Sequence, residues 1–322
     1  MFNRNQLEAA MDLVHATMPP TPALRWPLLC DALGGDVWVK HENHTPTGAF
    51  KVRGGIVYIN ELLGAGAPAG GLITATRGNH GQSIPFAATP HGIPVRVLVP
   101  EGNSAGKNAA MAGWGASVEI FGRDFDEARI EAERLAAEED LVFVKSFHEH
   151  LVRGVATYAL ELFEAVADLD TVYVPIGMGS GICGVILVRD LLGLDTEIVG
   201  VVSDGADAVA RSFEAGDIVE TASANTFADG MACRVPAPDA MAIIGKGAAR
   251  VVRVSDDEIA DAVRLLFSAT HNVAEGAGAA ACAAARQEDA SGKRTAVVLT
   301  GGNIDRDWFA AIVSGQTPAP AA

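Results

Sequence analysis

Lys51 stands in Pro46-Thr-Gly-Ala-Phe-Lys-Val-Arg-Gly-Gly55, behind an aromatic residue and inside a basic, glycine-flanked turn. A lysine so placed can condense with an aldehyde to a Schiff base and, once freed, act as a base beside the carbon it has activated. Alone, the stretch is equally well a solvated basic loop. Three further turns directly follow β-type runs. Thr74-Ala-Thr76-Arg77-Gly78-Asn79-His80 enters a helical pattern, so its backbone amides would face an anion such as a carboxylate. Its bland reading is a polar helix cap. Pro175-Ile-Gly177-Met178-Gly179-Ser180-Gly181-Ile-Cys-Gly184 has glycines dense enough for backbone to approach a phosphate, with a hydroxyl at Ser180. It also contains a literal G-x-G-x-x-G, with Asp204 about 20 residues further on, as a dinucleotide site would require. That nicotinamide reading leaves Lys51 and the Asn79 turn without a role. Thr300-Gly-Gly-Asn303 closes a run near the C-terminus, where the Thr300 hydroxyl could make one hydrogen bond; otherwise it is an ordinary turn.

Short β-branched runs must position these turns: 37–40, 71–75, 95–99, 117–121, 171–174, 197–202 and 295–299. Between them lie Ala-rich amphipathic patterns, among them 124–139 and 255–269, the second opened by the capping box Ser255-Asp-Asp-Glu258. This alternation predicts an α/β fold with mostly parallel sheets covered on both faces. The segment 172–192 is the most apolar, but its glycines and Arg189 read as strand, loop and helix rather than a membrane span.

With 322 residues the chain can build two lobes or one large domain, and its net charge of −16 argues against nucleic acid as a partner. Cys30, Cys183, Cys233 and Cys282 show no pairing rhythm, which fits reduced thiols. The N-terminus lacks the apolar core of a signal peptide. A soluble, cytoplasmic protein with no membrane partner is the expectation.

Taken together and in this order, the four constellations resemble the pyridoxal-phosphate enzymes of the tryptophan-synthase-β type (fold type II), closest to the threonine/serine dehydratase and serine racemase branch. The similarity extends to Thr21-Pro-Ala-Leu24, Lys40-His-Glu-Asn43, Thr226-Phe-Ala-Asp-Gly-Met-Ala232 and Glu275-Gly-Ala-Gly-Ala-Ala280. The resemblance implies two open, mostly parallel twisted sheets flanked by helices, with pyridoxal 5′-phosphate between two domains. The large domain would comprise 1–42 and 148–322, and the small one 43–147. Lys51 would form the Schiff base and shuttle the α-proton, with Phe50 alongside. Asn79 would bond the cofactor's 3′-oxygen, and Gly177, Met178, Gly179, Ser180 and Gly181 would cradle its phosphate. Thr300 would partner the pyridine nitrogen, while Thr76, Arg77, Gly78 and His80 would hold the substrate carboxylate.

The implied activity is β-elimination from a β-hydroxy-α-amino acid such as threonine, serine, 3-phenylserine or 3-hydroxyaspartate, giving a 2-oxo acid and ammonia. A homodimer is expected from the same resemblance. The alternatives are β-replacement, as in cysteine synthesis, and a non-catalytic cofactor-binding protein. Three departures stand out. Arg77 replaces the Ser or Ala usual there; the Ser is the second base of serine racemases, and an arginine stays protonated. Met178 and Ser180 make the phosphate turn more like that of cysteine-synthase relatives, and Ala49 replaces a common Ser. No metal ligands are assigned, since Asp204, Asp207 and Glu214 are loosely placed.

Overall fold

A computed structural model describes residues 1–66, 68, 70–288 and 290–320. Ten strands are seen among them: β1 Ala23–Arg25, β2 Asp36–His41, β3 Leu72–Ala75, β4 Val95–Val99, β5 Ala116–Ile120, β6 Val142–Phe143, β7 Thr171–Pro175, β8 Glu197–Ser203, β9 Arg250–Val254 and β10 Arg294–Leu299. They form a six-stranded sheet, ordered β1-β2-β10-β7-β8-β9, and a four-stranded sheet, ordered β5-β4-β3-β6. Every pairing is parallel except that of β1 with β2. Parallel strands need covered crossovers, which is why their sequences read as unbroken apolar runs.

Alternate residues of each run go to opposite layers. Tyr173, Val199 and Val201 pack with the helices Asp256–Thr270 and Gly276–Gln287, whereas Val172, Val174 and Ile198 pack with Glu149–Ala165 and Ser180–Leu192. The smaller sheet does the same: Leu72 and Val97 meet Tyr58 and Ile84 on one side, and Ile73 and Leu98 meet Ala128 and Ala132 on the other. The expected pair of covered, mostly parallel sheets is therefore present.

Topology decides where ligands can enter. From β7 the chain runs outward to β8 and β9, then returns to lay β10 on the other flank of β7. From β3 it runs to β4 and β5, then returns to place β6 on the other flank of β3. At such switch points adjacent crossovers part, leaving a crevice beyond the strands' carboxyl ends. The turns after β7, β10 and β3 are the Gly177, Thr300 and Asn79 turns.

The expected strands and the helices at 124–139 and 255–269 are all found, and the Ser255–Glu258 capping box closes as anticipated. The segment 172–192 resolves into β7, a turn and the helix Ser180–Leu192. No helix among the described residues is long and apolar enough to cross a membrane. All four cysteines are buried and free.

Candidate active site

Lys51 begins the helix Lys51–Ala65, and its turn is stitched to the Thr300 turn. The Phe50 N–H donates to the Thr300 carbonyl at 3.0 Å and the Gly302 N–H to the Gly48 carbonyl at 2.9 Å, flanking an antiparallel bridge between Ala49 and Gly301. The Lys51 ammonium donates to Ser180 Oγ at 2.8 Å and lies 5.0 Å from the centroid of the Phe50 ring. Burial lowers the Lys51 pKa to about 8, because the charged form loses hydration.

The Lys51 helix can come this close because a glycine stands at each contact, Gly55 on the helix itself and Gly154 on the neighbouring Glu149–Ala165. A Cβ on Gly154 would meet the Arg53 carbonyl oxygen at 2.3 Å, and one on Gly55 would meet that of Ser83 at 2.5 Å. Beneath Lys51, Arg53 is wholly buried and bonds both Glu42 oxygens, at 2.8 and 3.0 Å, and both Glu161 oxygens, at 2.7 and 2.8 Å. Lys40 adds a 2.5 Å bond to Glu161. Two buried cations thus face two buried carboxylates, and this balance is what makes burial tolerable.

After β7, Gly179 has φ +94°, in the left-handed region, and a Cβ on Gly177 would meet the Gly230 carbonyl oxygen at 2.3 Å. The helix Ser180–Leu192 follows at once, so its first-turn amides open into the cleft at a positive helix end. This is a fitting cradle for a phosphate. Thr300 is buried, and its hydroxyl has no partner among the described residues. A half-buried amine of lowered pKa, a phosphate cradle and a free hydroxyl together fit a phosphorylated aldehyde with a ring nitrogen.

After β3, Thr76 Oγ1 accepts from the Gly78 N–H at 2.9 Å and shapes the turn. His80 is buried, and its pKa falls to about 3, first through burial and then through the Lys51 charge. Its ring is therefore neutral at working pH, and its Nε2 has no partner. The Asn79 side chain donates to Glu275 at 2.5 Å and accepts from Asn303 at 2.9 Å.

All of the sequence-nominated residues line one cleft: Phe50, Lys51, Thr76, Arg77, Gly78, Asn79, His80, Gly177, Met178, Gly179, Ser180, Gly181 and Thr300. It encloses about 850 Å³, part of it open solvent. The structure adds a set that the sequence reading left without roles. Lys107 donates to both Asp229 oxygens at 2.7 Å and lies 3.0 Å from Glu275. Burial opposes the Lys107 charge, but Asp229 and Glu275 outweigh it and hold the ammonium protonated. Asp229 and Glu275 lay in segments that carried the family resemblance. Lys107 had only the faint signal of being the one charged residue in the helix Ala105–Gly113.

Of the acids near 203–217, Asp207 pairs with Arg211 and Arg253, and Glu214 with Arg253. No cluster of metal-ligating side chains is found among the described residues.

Comparison with known proteins agrees with this geometry. Residues 15–301 match the PALP family, described as pyridoxal-phosphate dependent enzyme. The chain is 33% identical over 289 residues to an L-threonine ammonia-lyase of Thermotoga maritima, covering 89% of this chain and 72% of that protein. It is 31% identical over 303 residues to an L-threo-3-hydroxyaspartate ammonia-lyase of Saccharomyces cerevisiae, covering 93% of each. Among solved structures, a serine racemase of maize superposes with a TM-score of 0.88 at 26% identity, covering 95% of this chain and 94% of that one. The chain belongs to the fold type II pyridoxal-phosphate-dependent enzymes, in their threonine/serine dehydratase, ammonia-lyase and racemase branch, and is an ammonia-lyase/dehydratase acting on amino acids.

Proposed function

We propose that the protein dehydrates and deaminates a β-hydroxy-α-amino acid, of the class of threonine, serine, 3-phenylserine or 3-hydroxyaspartate, to a 2-oxo acid and ammonia. The observation that supports this best is the Lys51 amine, half-buried in the cleft with its pKa lowered to about 8 and 2.8 Å from Ser180. An amine so tuned is neutral enough to attack an aldehyde and basic enough to carry a proton.

Pyridoxal phosphate, when bound, supplies the electron sink for the bond broken at the substrate's α-carbon. The turn Gly177–Gly181 would hold its phosphate, Asn79 its 3′-oxygen and Thr300 its ring nitrogen, with Phe50 beside Lys51. The neutral Thr300 hydroxyl, unlike a carboxylate, would not hold the ring nitrogen protonated, which would make the bound group a milder electron sink suited to elimination. Lys51 Nζ takes the α-proton. The amides at the head of the helix Asn79–Ala88 bind the α-carboxylate, with Thr76, Arg77, Gly78 and His80 around it. His80, neutral down to about pH 3, does not compete for that proton. The β-hydroxyl would leave as water, taking up one proton in balance for the α-proton that Lys51 Nζ accepts, and the released enamine, through its imine, consumes one water to give the 2-oxo acid and ammonia.

We further assign residues 1–42 and 148–322 to a large domain and 43–147 to a small one, in a cytoplasmic homodimer. Four free, buried cysteines agree with a reducing compartment, and light scattering on the purified protein tests the dimer. The deciding experiment for the activity is 2-oxo-acid release by the cofactor-loaded enzyme across these four amino acids. Turnover of at least one is expected; failure on all four, with O-acetylserine plus sulfide consumed instead, contradicts the reading.

A further inference from the structure

Arg77 is the exception among this protein's arginines. Every other one is ion-paired to a carboxylate, as a chain of net charge −16 readily permits. Arg77 has no ion pair and no side-chain hydrogen bond among the described residues, and its Nε is sealed from solvent without a partner. It nevertheless lines the cleft that contains Lys51. Leaving a buried donor unsatisfied costs roughly 10- to 100-fold in an equilibrium, so such a group is expected to find its acceptor in a ligand.

The acceptor is not supplied by the groups already placed. The phosphate cradle follows β7 of the six-stranded sheet, whereas Arg77 follows β3 of the four-stranded one. The α-carboxylate has its own donors. Gly78 and Gly81 give their N–H groups to Thr76 Oγ1, and Gln82 gives its own to the Gly78 carbonyl. The Asn79 and His80 amides, first in their helix, have no acceptor among the described residues. Two consecutive amides suffice for one carboxylate. The planar Arg77 fork is then a second anion site beside the first, and it matches a second carboxylate through paired hydrogen bonds.

We propose that Arg77 reads a carboxylate on the substrate's side chain, so that the enzyme selects 3-hydroxy dicarboxylic amino acids of the 3-hydroxyaspartate type over threonine. This rests on the dehydratase reading above but is tested separately from it. The first measurement is kcat/KM for 3-hydroxyaspartate and for threonine on the cofactor-loaded enzyme, wild type, Arg77→Ala and Arg77→Gln. Wild type favours the dicarboxylate, and the ratio of the two constants falls roughly 10- to 100-fold in both variants. The second is equilibrium binding of aspartate and alanine, which carry no β-hydroxyl, followed by the visible absorption of the bound cofactor. Aspartate binds more tightly than alanine, and the difference disappears in the variants.

A wild-type preference for threonine together with equal affinities for aspartate and alanine overturns the proposal. So does a dicarboxylate preference that survives in both variants. A preference for 3-phenylserine that the variants lose overturns it as well, in favour of cation–π recognition of a ring. If no hydroxy amino acid is turned over but the Arg77-dependent preference for aspartate holds, the dehydratase reading fails and the second anion site stands.

Discussion

Burial brings the Lys51 amine down to about 8, so near neutral pH a usable fraction is already the nucleophilic, uncharged form. The rate at which apoprotein takes up pyridoxal phosphate is therefore expected to rise with pH around a midpoint near 8. A midpoint near the ordinary lysine value of 10.5 would contradict the burial argument. Arg77 sets a second outcome. A guanidinium stays protonated and cannot remove an α-proton from the face opposite Lys51, so L-serine should yield pyruvate without detectable D-serine. Chiral chromatography of the reaction checks this, and D-serine formation lost in Arg77→Ala would refute it. The sequence singles out Lys51, Asn79 and Thr300 only as a set: each turn alone also fits a bland reading, and it is the family resemblance of the turns taken together that implies their roles. Lys107 could not be picked out, because its partner Asp229 is 122 residues away and only the fold unites them.

The Lys51 helix is held from below by one buried set of charges, Arg53 with Glu42 and Glu161. Removing Arg53 leaves two buried carboxylates with Lys40 as their one buried cation and the His15 ring 2.8 Å from Glu161. Arg53→Met is expected to cost about 3–5 kcal/mol in urea unfolding; a loss well under 1 kcal/mol would show the network to be dispensable. Burial pushes Glu161 up, but Arg53 and Lys40 outweigh it and bring its pKa from 4.5 to about 2. Its proton is therefore bound less tightly in the folded state. The associated stability is complete above about pH 4.5 and is lost as pH falls through about 2. Acid unfolding of wild type should show that dependence, and Arg53→Met should blunt it. The strands that the sequence reading missed are those with little pattern to offer. β1 has three residues and β6 two, too few to show a period, and β9 is an edge strand interrupted by Arg250 and Arg253.

Two mostly parallel sheets present their switch-point crevices to one cleft, and polar contacts across it join their flanking elements. Lys107 meets Asp229 and Glu275, Ser104 donates to Asp305 at 2.8 Å, and Arg234 meets Asp124 at 2.9 Å. Lys107→Met strands the buried Glu275 and the half-buried Asp229 and should weaken cofactor retention, read as faster loss of visible absorption on dialysis; unchanged retention would separate this set from the site. The doubly covered parallel architecture followed from strand–helix alternation alone. That both crevices face one cleft is implied only by the family resemblance, because strand order is set by long-range pairing that no local run encodes. The central claim, that this fold exists to present Lys51 to pyridoxal phosphate, is tested most directly by Lys51→Ala. The account predicts that 2-oxo-acid release and the visible absorption of the lysine-bound cofactor vanish together while the fold persists by circular dichroism. Turnover that survives the substitution would contradict it.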